Sequence, residues 1–284
     1  MNEFVIITDS ACDISSELLS AWDVKYQSLT FRFDDEDKEY KNDDMSASDF
    51  YDKMRNGAVA KTSAINIEQF KELFREELAQ GRDVLYLAFS SGLSNTYNAG
   101  RLAAEELLEE FPDRRVIAVD TLCASAGQGL LVKLAADKKK AGATIEEVAR
   151  FVMENRLKLA HWFTVDDLKY LKRGGRVSPT AAFFGGMLNI KPVMHVDDEG
   201  KLVPVSKVRG RRAALREIAD KYKDLATDNT VFISHGDCMT DVEEIKKMLE
   251  DEGADVQVIT YVGPVIGAHS GPGTLAVFYL ASER

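Results

Sequence analysis

The sequence is poor in cysteine, in proline and in positive charge, and it holds no long uncharged apolar run. Its three cysteines, Cys12, Cys123 and Cys238, are far apart, with no CxxC or CxxH spacing. No zinc site is therefore expected. A sparse, odd set of thiols suits a reducing, cytoplasmic setting. Six prolines in 284 residues leave no Pro-rich linker, and neither an internal repeat nor a low-complexity tract is visible. Lys and Arg number 36 against 47 Asp and Glu, a net charge of −11. That balance argues against a sequence-independent nucleic-acid binder, which needs a positive field to meet phosphates. No apolar run reaches the ~18 residues of a membrane span. The start, MNEFVIITDS, lacks the basic and long apolar regions of a secretory leader.

What remains is a chain of 284 residues, 45% hydrophobic and 29% charged. That length suits about two domains of ~150 residues each and a core large enough to need no staple. In the first half, continuous apolar strands alternate with amphipathic helices. Phe4–Thr8, Asp83–Phe89 and Arg115–Val119 read as strands. Helices are expected from Ser15, from Asn66 to about Gln80, over 95–110 and over 124–141, with capping boxes at Asn66–Gln69 and Thr144–Glu147. This alternation predicts a parallel, doubly wound sheet. In the second half, Leu159–Val165 reads as a strand. Ile190–Val196 and Lys201–Val208 flank the hairpin signal Asp197-Asp198-Glu199-Gly200. Strands around 230–234, 254–261 and 275–280 follow. The fold class expected is two-domain α/β: a parallel doubly wound N-terminal sheet plus an α+β C-terminal domain with a mixed sheet. The expected division is 1–160 and 161–284.

The loop Ser90-Ser91-Gly92-Leu93-Ser94-Asn95-Thr96-Tyr97 follows a strand and opens a helix. Ligands of open α/β sheets sit outside the carboxyl ends of strands, and a helix N-terminus favours an anion. Ser94 stands at the expected N-cap. An anion site and a merely capped helix are both open readings here. Lys61-Thr62-Ser63 reads as a loop with hydroxyl donors. His269 is bracketed by glycines and a proline in Gly267-Ala-His-Ser-Gly-Pro-Gly273, which lets the backbone fold tightly around one side chain. The segments 171–179 and 209–212 are basic clusters in an acidic chain, either solvated faces or a docking surface. The acidic run Asp34–Asp37 reads as a solvated hairpin tip.

Standard catalytic templates fail. There is no GxxxxGK[ST] loop, and Gly127-Gln-Gly129 lacks the third glycine of a dinucleotide fingerprint. Ser94 lacks the GxSxG elbow. A hydrolase built from Ser94, His269 and an acid such as Asp9 stays open, since triads are set by geometry and not by order. No metal or other cofactor is indicated.

Taken in order, Thr8–Ser10, Thr62-Ser63, Ser90–Tyr97, Leu171–Ser178, Gly186–Pro192, Arg209–Leu215 and His269–Gly273 resemble the DegV family of bacterial fatty-acid-binding proteins. The resemblance spans nearly the whole chain. It implies a lipid carrier, not an enzyme, that holds one long-chain fatty acid such as palmitate in a tunnel at the domain interface. It implies that Thr62 and Ser94 hydrogen-bond the carboxylate with His269 beside it, and that Ser63 and Asn95 belong to the same ligand set. It also implies a partner: a separate, ATP-dependent fatty acid kinase that makes an acyl phosphate. Arg173, Arg176, Arg209, Arg211 and Arg212 then resemble its docking surface. Asn95 stands where the family commonly has Gly, Ala64-Ile65-Asn66 stands for Gln-Pro-Ser, and Ala276 stands where Gly is common. The apolar segment Ala181–Leu188 is an expected tunnel wall or ordinary core. The alternative function is a serine hydrolase acting on lipid esters.

Overall fold

The computed structural model describes residues 3–177 and 189–284. The segment Ala181–Leu188, and the parts of the resembling motifs that fall on 178–188, lie outside the described residues. The chain begins with β1 (Phe4–Asp9), α1 (Ser16–Ala21), β2 (Val24–Gln27), β3 (Thr30–Phe33) and β4 (Tyr40–Lys41). It continues through α2 (Ala47–Arg55), β5 (Ala60–Ser63), α3 (Ile67–Ala79), β6 (Asp83–Ala88), α4 (Thr96–Glu110) and β7 (Val116–Asp120). Next come α5 (Ser125–Lys140), α6 (Ile145–Asn155), β8 (Leu159–Thr164), α7 (Lys169–Gly174), β9 (Ile190–Val196) and β10 (Leu202–Arg209). The last elements are α8 (Arg211–Leu225), β11 (Thr230–His235), α9 (Met239–Asp251), β12 (Asp255–Tyr261), α10 (Pro264–Ser270) and β13 (Leu275–Leu280).

The described residues form three sheets. The first is parallel throughout, in the order β2-β1-β6-β7. Its central strands β1 and β6 are buried at every position, as expected when helices cover both faces. The second has six strands in the order β10-β9-β8-β13-β11-β12. Only β11 and β12 run parallel there; the other pairs are antiparallel. The α/β class, with one parallel and one mixed sheet, is therefore as expected. The third sheet, β4-β3-β5, is a small antiparallel unit. Asp34–Asp37 falls in its β3–β4 connection. The loop expected at Lys61-Thr62-Ser63 is instead part of β5, where Thr62 pairs with Phe31. Its short polar text hides a strand held by pairing to β3 and not by its own pattern.

Helix α5 joins the two large sheets. It is buried from Ser125 to Val132 without a polar face, the mark of a helix packed on more than one side. One apolar cluster runs from Ile6, Leu85 and Leu87 through Leu130 and Leu131 to Phe163, Phe232 and Phe278. Gly127 and Gly129 permit this close approach. A Cβ on Gly127 would collide with the His161 and Phe278 rings, and one on Gly129 with Ile14. Both capping boxes are formed, Asn66 with Gln69 and Thr144 with Glu147.

Candidate functional site

A cavity of about 260 Å³ lies between the parallel sheet's carboxyl ends and the six-stranded sheet. Phe163, Ala276 and Phe278 of the larger sheet supply part of its wall, and Phe89, Leu93 and Val265 face them. It is close to the lower end of the ~300–1,000 Å³ typical of small-molecule pockets, and mainly apolar as such pockets are.

Thr62, Ser63, Ser94, Asn95 and His269 all line this cavity, although they come from three distant segments. Each is positioned by its own local device. Strand pairing with β3 holds Thr62. His269 sits in the last turn of α10, a helix started by Pro264 at its first position. The chain leaves that helix through Gly271 and Gly273, both at positive φ (83° and 77°). A side chain at Gly271 would strike the Tyr170 ring, and one at Gly273 would strike Asp166. The tight bracket expected from sequence is thus real. Its compactness brings His269 Nε2 to 2.8 Å from Thr62 Oγ1.

Burial pushes the His269 pKa down to about 4, and the nearby Arg176 and Arg173 charges add to that. The ring is therefore neutral at physiological pH. Its Nδ1 is buried, with no hydrogen-bond partner among the described residues. Nε2–H donating to Thr62 Oγ1 would leave the Thr62 proton free for a ligand in the cavity.

The residue capping α4 is Asn95, not Ser94, and its side chain makes no capping bond. Ser94 Oγ still accepts the Thr96 N–H at 3.3 Å, and it pairs with Thr96 Oγ1 at 2.9 Å. The helix begins one residue later than the Ser signal suggests because Ser94 itself is bonded back to Ser90 O through its N–H. The loop is shaped from below by Thr8–Ser10. Asp9 is fully buried and accepts the Phe89 N–H and the Tyr86 hydroxyl. Burial raises its pKa against those bonds. Thr8 Oγ1 donates to Leu87 O, and Gln128 Nε2 reaches both Thr8 and Asp9. This first motif braces the site and does not line it.

The hydrolase constellation is not assembled. The His269 ring bonds Thr62, Ser94 bonds Thr96, and Asp9 is taken up by Phe89, Tyr86 and Gln128.

The five arginines divide. Arg176 is half-buried, lines the cavity and donates to Leu93 O at 3.1 Å and Gly174 O at 2.6 Å. Arg211 is braced by Asp241 at 2.9 Å and by Gly273 O at 2.6 Å, so it supports the loop that follows His269. Arg173, Arg209 and Arg212 are exposed. Arg173 lies over the Tyr170 ring, and Arg212 pairs with Glu244.

Sequence reasoning missed a further polar group on the cavity wall. Ser125 and Ser234 face it, with Oγ atoms 2.9 Å apart, and Ser125 Oγ bonds Asp13 Oδ2 at 2.5 Å. Their only sequence signal is a serine placed at a strand end and another at a helix start. Among the described residues no cluster of His, Cys, Asp and Glu is arranged to hold a metal ion. No helix among them is long and apolar enough to cross a membrane.

Known proteins share both the sequence and this architecture. A DegV domain-containing protein of Clostridium perfringens is 43% identical, over 100% of this chain and 99% of its own. A fatty-acid-binding DegV family protein from Thermus thermophilus is 29% identical with a TM-score of 0.88, covering 99% of this chain and 100% of that one. DegV of Bacillus subtilis, a fatty acid binding protein, is 26% identical with a TM-score of 0.83, over 99% of this chain and 100% of its own. The DegV family profile matches residues 3–282, and the chain belongs to the DegV family.

Proposed function

We propose that this protein is a cytoplasmic carrier that binds one long-chain fatty acid between residues 1–160 and 161–284. The observation that carries the reading is the pairing of Thr62 with a neutral His269 at an apolar cavity also lined by Ser94. Solved relatives of the same architecture bind fatty acids. Three free thiols accord with a reducing compartment.

The acyl tail supplies the affinity. Burying ~15 methylenes at ~0.8 kcal/mol each offers roughly 12 kcal/mol before ordering costs. The polar groups fix direction. Thr62 and Ser94 donate to the carboxylate, with Ser63 and Asn95 at its edge. The N-terminus of α4 adds a favourable field for an anion. His269 holds the Thr62 hydroxyl in its donating orientation.

No nucleophile of this chain is needed. The carboxylate is presented to a separate ATP-dependent kinase, where one carboxylate oxygen attacks the γ-phosphorus and ADP leaves. Arg173, Arg209 and Arg212 form the exposed part of the surface that meets this kinase, while Arg176 and Arg211 hold the site's edge.

Native mass spectrometry of freshly purified protein, followed by lipid extraction, tests the carrier reading. A bound fatty acid in one-to-one ratio is expected. Protein that arrives empty and takes up no added palmitate would overturn it.

A further inference from the structure

We infer that the cavity contains a second polar subsite, formed by Ser125 and Ser234 and backed by Asp13, which takes a hydroxyl group carried on the acyl chain. This inference rests on the fatty-acid reading and narrows its ligand class.

Ser234 belongs to a row of paired residues across the six-stranded sheet. Its neighbours in that row are Thr260 on the β12 side and, on the other side, the apolar Ala276, Phe163 and Met194. A hydroxyl in such a row is out of place unless it has a partner. Ser234 is fully buried, and its Oγ is bonded by Ser125 Oγ. Ser125 in turn is nearly buried and bonds Asp13 Oδ2.

Ser125 is held there against backbone preference. The turn from β7 to α5 places two non-glycine residues in the left-handed region, Leu122 at φ 54° and Ser125 at φ 53°. Such strain persists only where surrounding structure enforces it, and it gathers at functional sites. The hydroxyl does not serve its own helix. The N-cap of α5 is Ala124, with no side-chain capping bond.

The three groups form a chain whose open end is Ser234. A serine hydroxyl offers one proton and two lone pairs. If Asp13 is protonated, it donates to Ser125, Ser125 donates to Ser234, and the Ser234 proton faces the cavity. If Asp13 is ionised, the donors reverse and Ser234 presents lone pairs. A ligand hydroxyl, being both donor and acceptor, satisfies either arrangement. Burial lifts the Asp13 pKa to about 8, so the first arrangement holds at neutral pH. The neighbouring His161 does not compete. Its two ring nitrogens bond Leu159 O and the Ala124 N–H.

Position separates this group from the carboxylate end. Gly236 bonds Gly273 and Thr274, just past His269. Ser234, near the end of β11, stands two residues before Gly236 in the chain, about 7 Å if the backbone stays extended. A hydroxyl in the interior of the acyl chain, not the carboxylate, reaches it.

The test is displacement of a fluorescent fatty acid by stearate and by a series of positional hydroxystearates. Wild-type protein, Ser234→Ala and Ser234→Thr are compared, with melting temperatures recorded alongside. At least one hydroxy isomer should bind wild type as tightly as stearate and lose about ten-fold in Ser234→Ala. Stearate itself should keep its affinity, and Ser234→Thr should restore the isomer. Ser234→Cys, close in size with a much weaker hydrogen-bonding group, replaces the alanine variant if that fails to fold. Equal effects on stearate and every hydroxystearate would make Ser234 a plain wall residue and overturn the inference alone. Wild-type protein that binds neither class would overturn the fatty-acid reading and this inference with it.

Discussion

Replacing Thr62 by Val removes one oxygen from the candidate head-group site while keeping the β-branched shape. Thr62 lies in β5, paired to Phe31, and Val is at least as suited to a strand. The fold should therefore persist. Two costs follow. In the unliganded protein, the half-buried His269 Nε2 loses its partner at 2.8 Å, which costs at most ~1–3 kcal/mol. In the complex, the carboxylate also loses a charge-assisted hydrogen bond of ~1.5–3 kcal/mol. Only the second cost counts against binding, because the first is present with and without ligand. Palmitate should thus bind about ten-fold more weakly or worse. Isothermal titration supplies the affinity, and thermal melts of the empty protein supply the stability loss separately. Methyl palmitate, which carries no charge, should lose less than the acid. Thr62→Ser should bind within about two-fold of wild type, since the donor returns. Equal palmitate affinity in wild type and Thr62→Val, with a normal melt, would refute the head-group assignment. So would a methyl ester that suffers the same loss as the acid.

Asp13→Asn should flatten the pH dependence of stability. Asp13 holds its proton in the folded state up to about 8, chiefly through burial, whereas its ordinary value is 3.8. Between those values the folded protein binds a proton that the unfolded chain has released, so stability falls as pH rises from about 4 to 8. The total is of order 5 kcal/mol at most, read as urea midpoints of both proteins at pH 5 and pH 8; matching slopes would refute it. Arg209→Glu should slow acyl-phosphate formation by an added kinase, more so at low salt, with lipid affinity unchanged. A fall in lipid affinity with kinase coupling intact would instead place Arg209 in the pocket.

Signals that act over a few residues are legible in the amino-acid sequence by itself. The capping boxes at Asn66 and Thr144, the hairpin tip at 197–200 and the apolar strands of both sheets are examples. Each depends on periodicity, on a capping side chain or on turn chemistry, all local. The Gly-bracketed His269 is legible for the same reason, because positive φ at Gly271 and Gly273 is written into their residue type. The family resemblance singles out Thr62 and Ser94 from their motifs.

Tertiary structure decided the rest. Thr62 and His269 are 207 positions apart, and nothing in either segment says that they touch. β5 is a strand only because β3 lies beside it. Arg176 and Arg211 look like their exposed neighbours in sequence, yet they differ in burial because particular carbonyls, Leu93 O and Gly273 O, face them. Ser125, Ser234 and Asp13 meet at the cavity although Asp13 and Ser125 are 112 positions apart. Side-chain type sets what such groups can exchange, protons or hydrogen bonds. Which groups meet is set by how two sheets close on α5, and that closure rests on contacts distant along the chain.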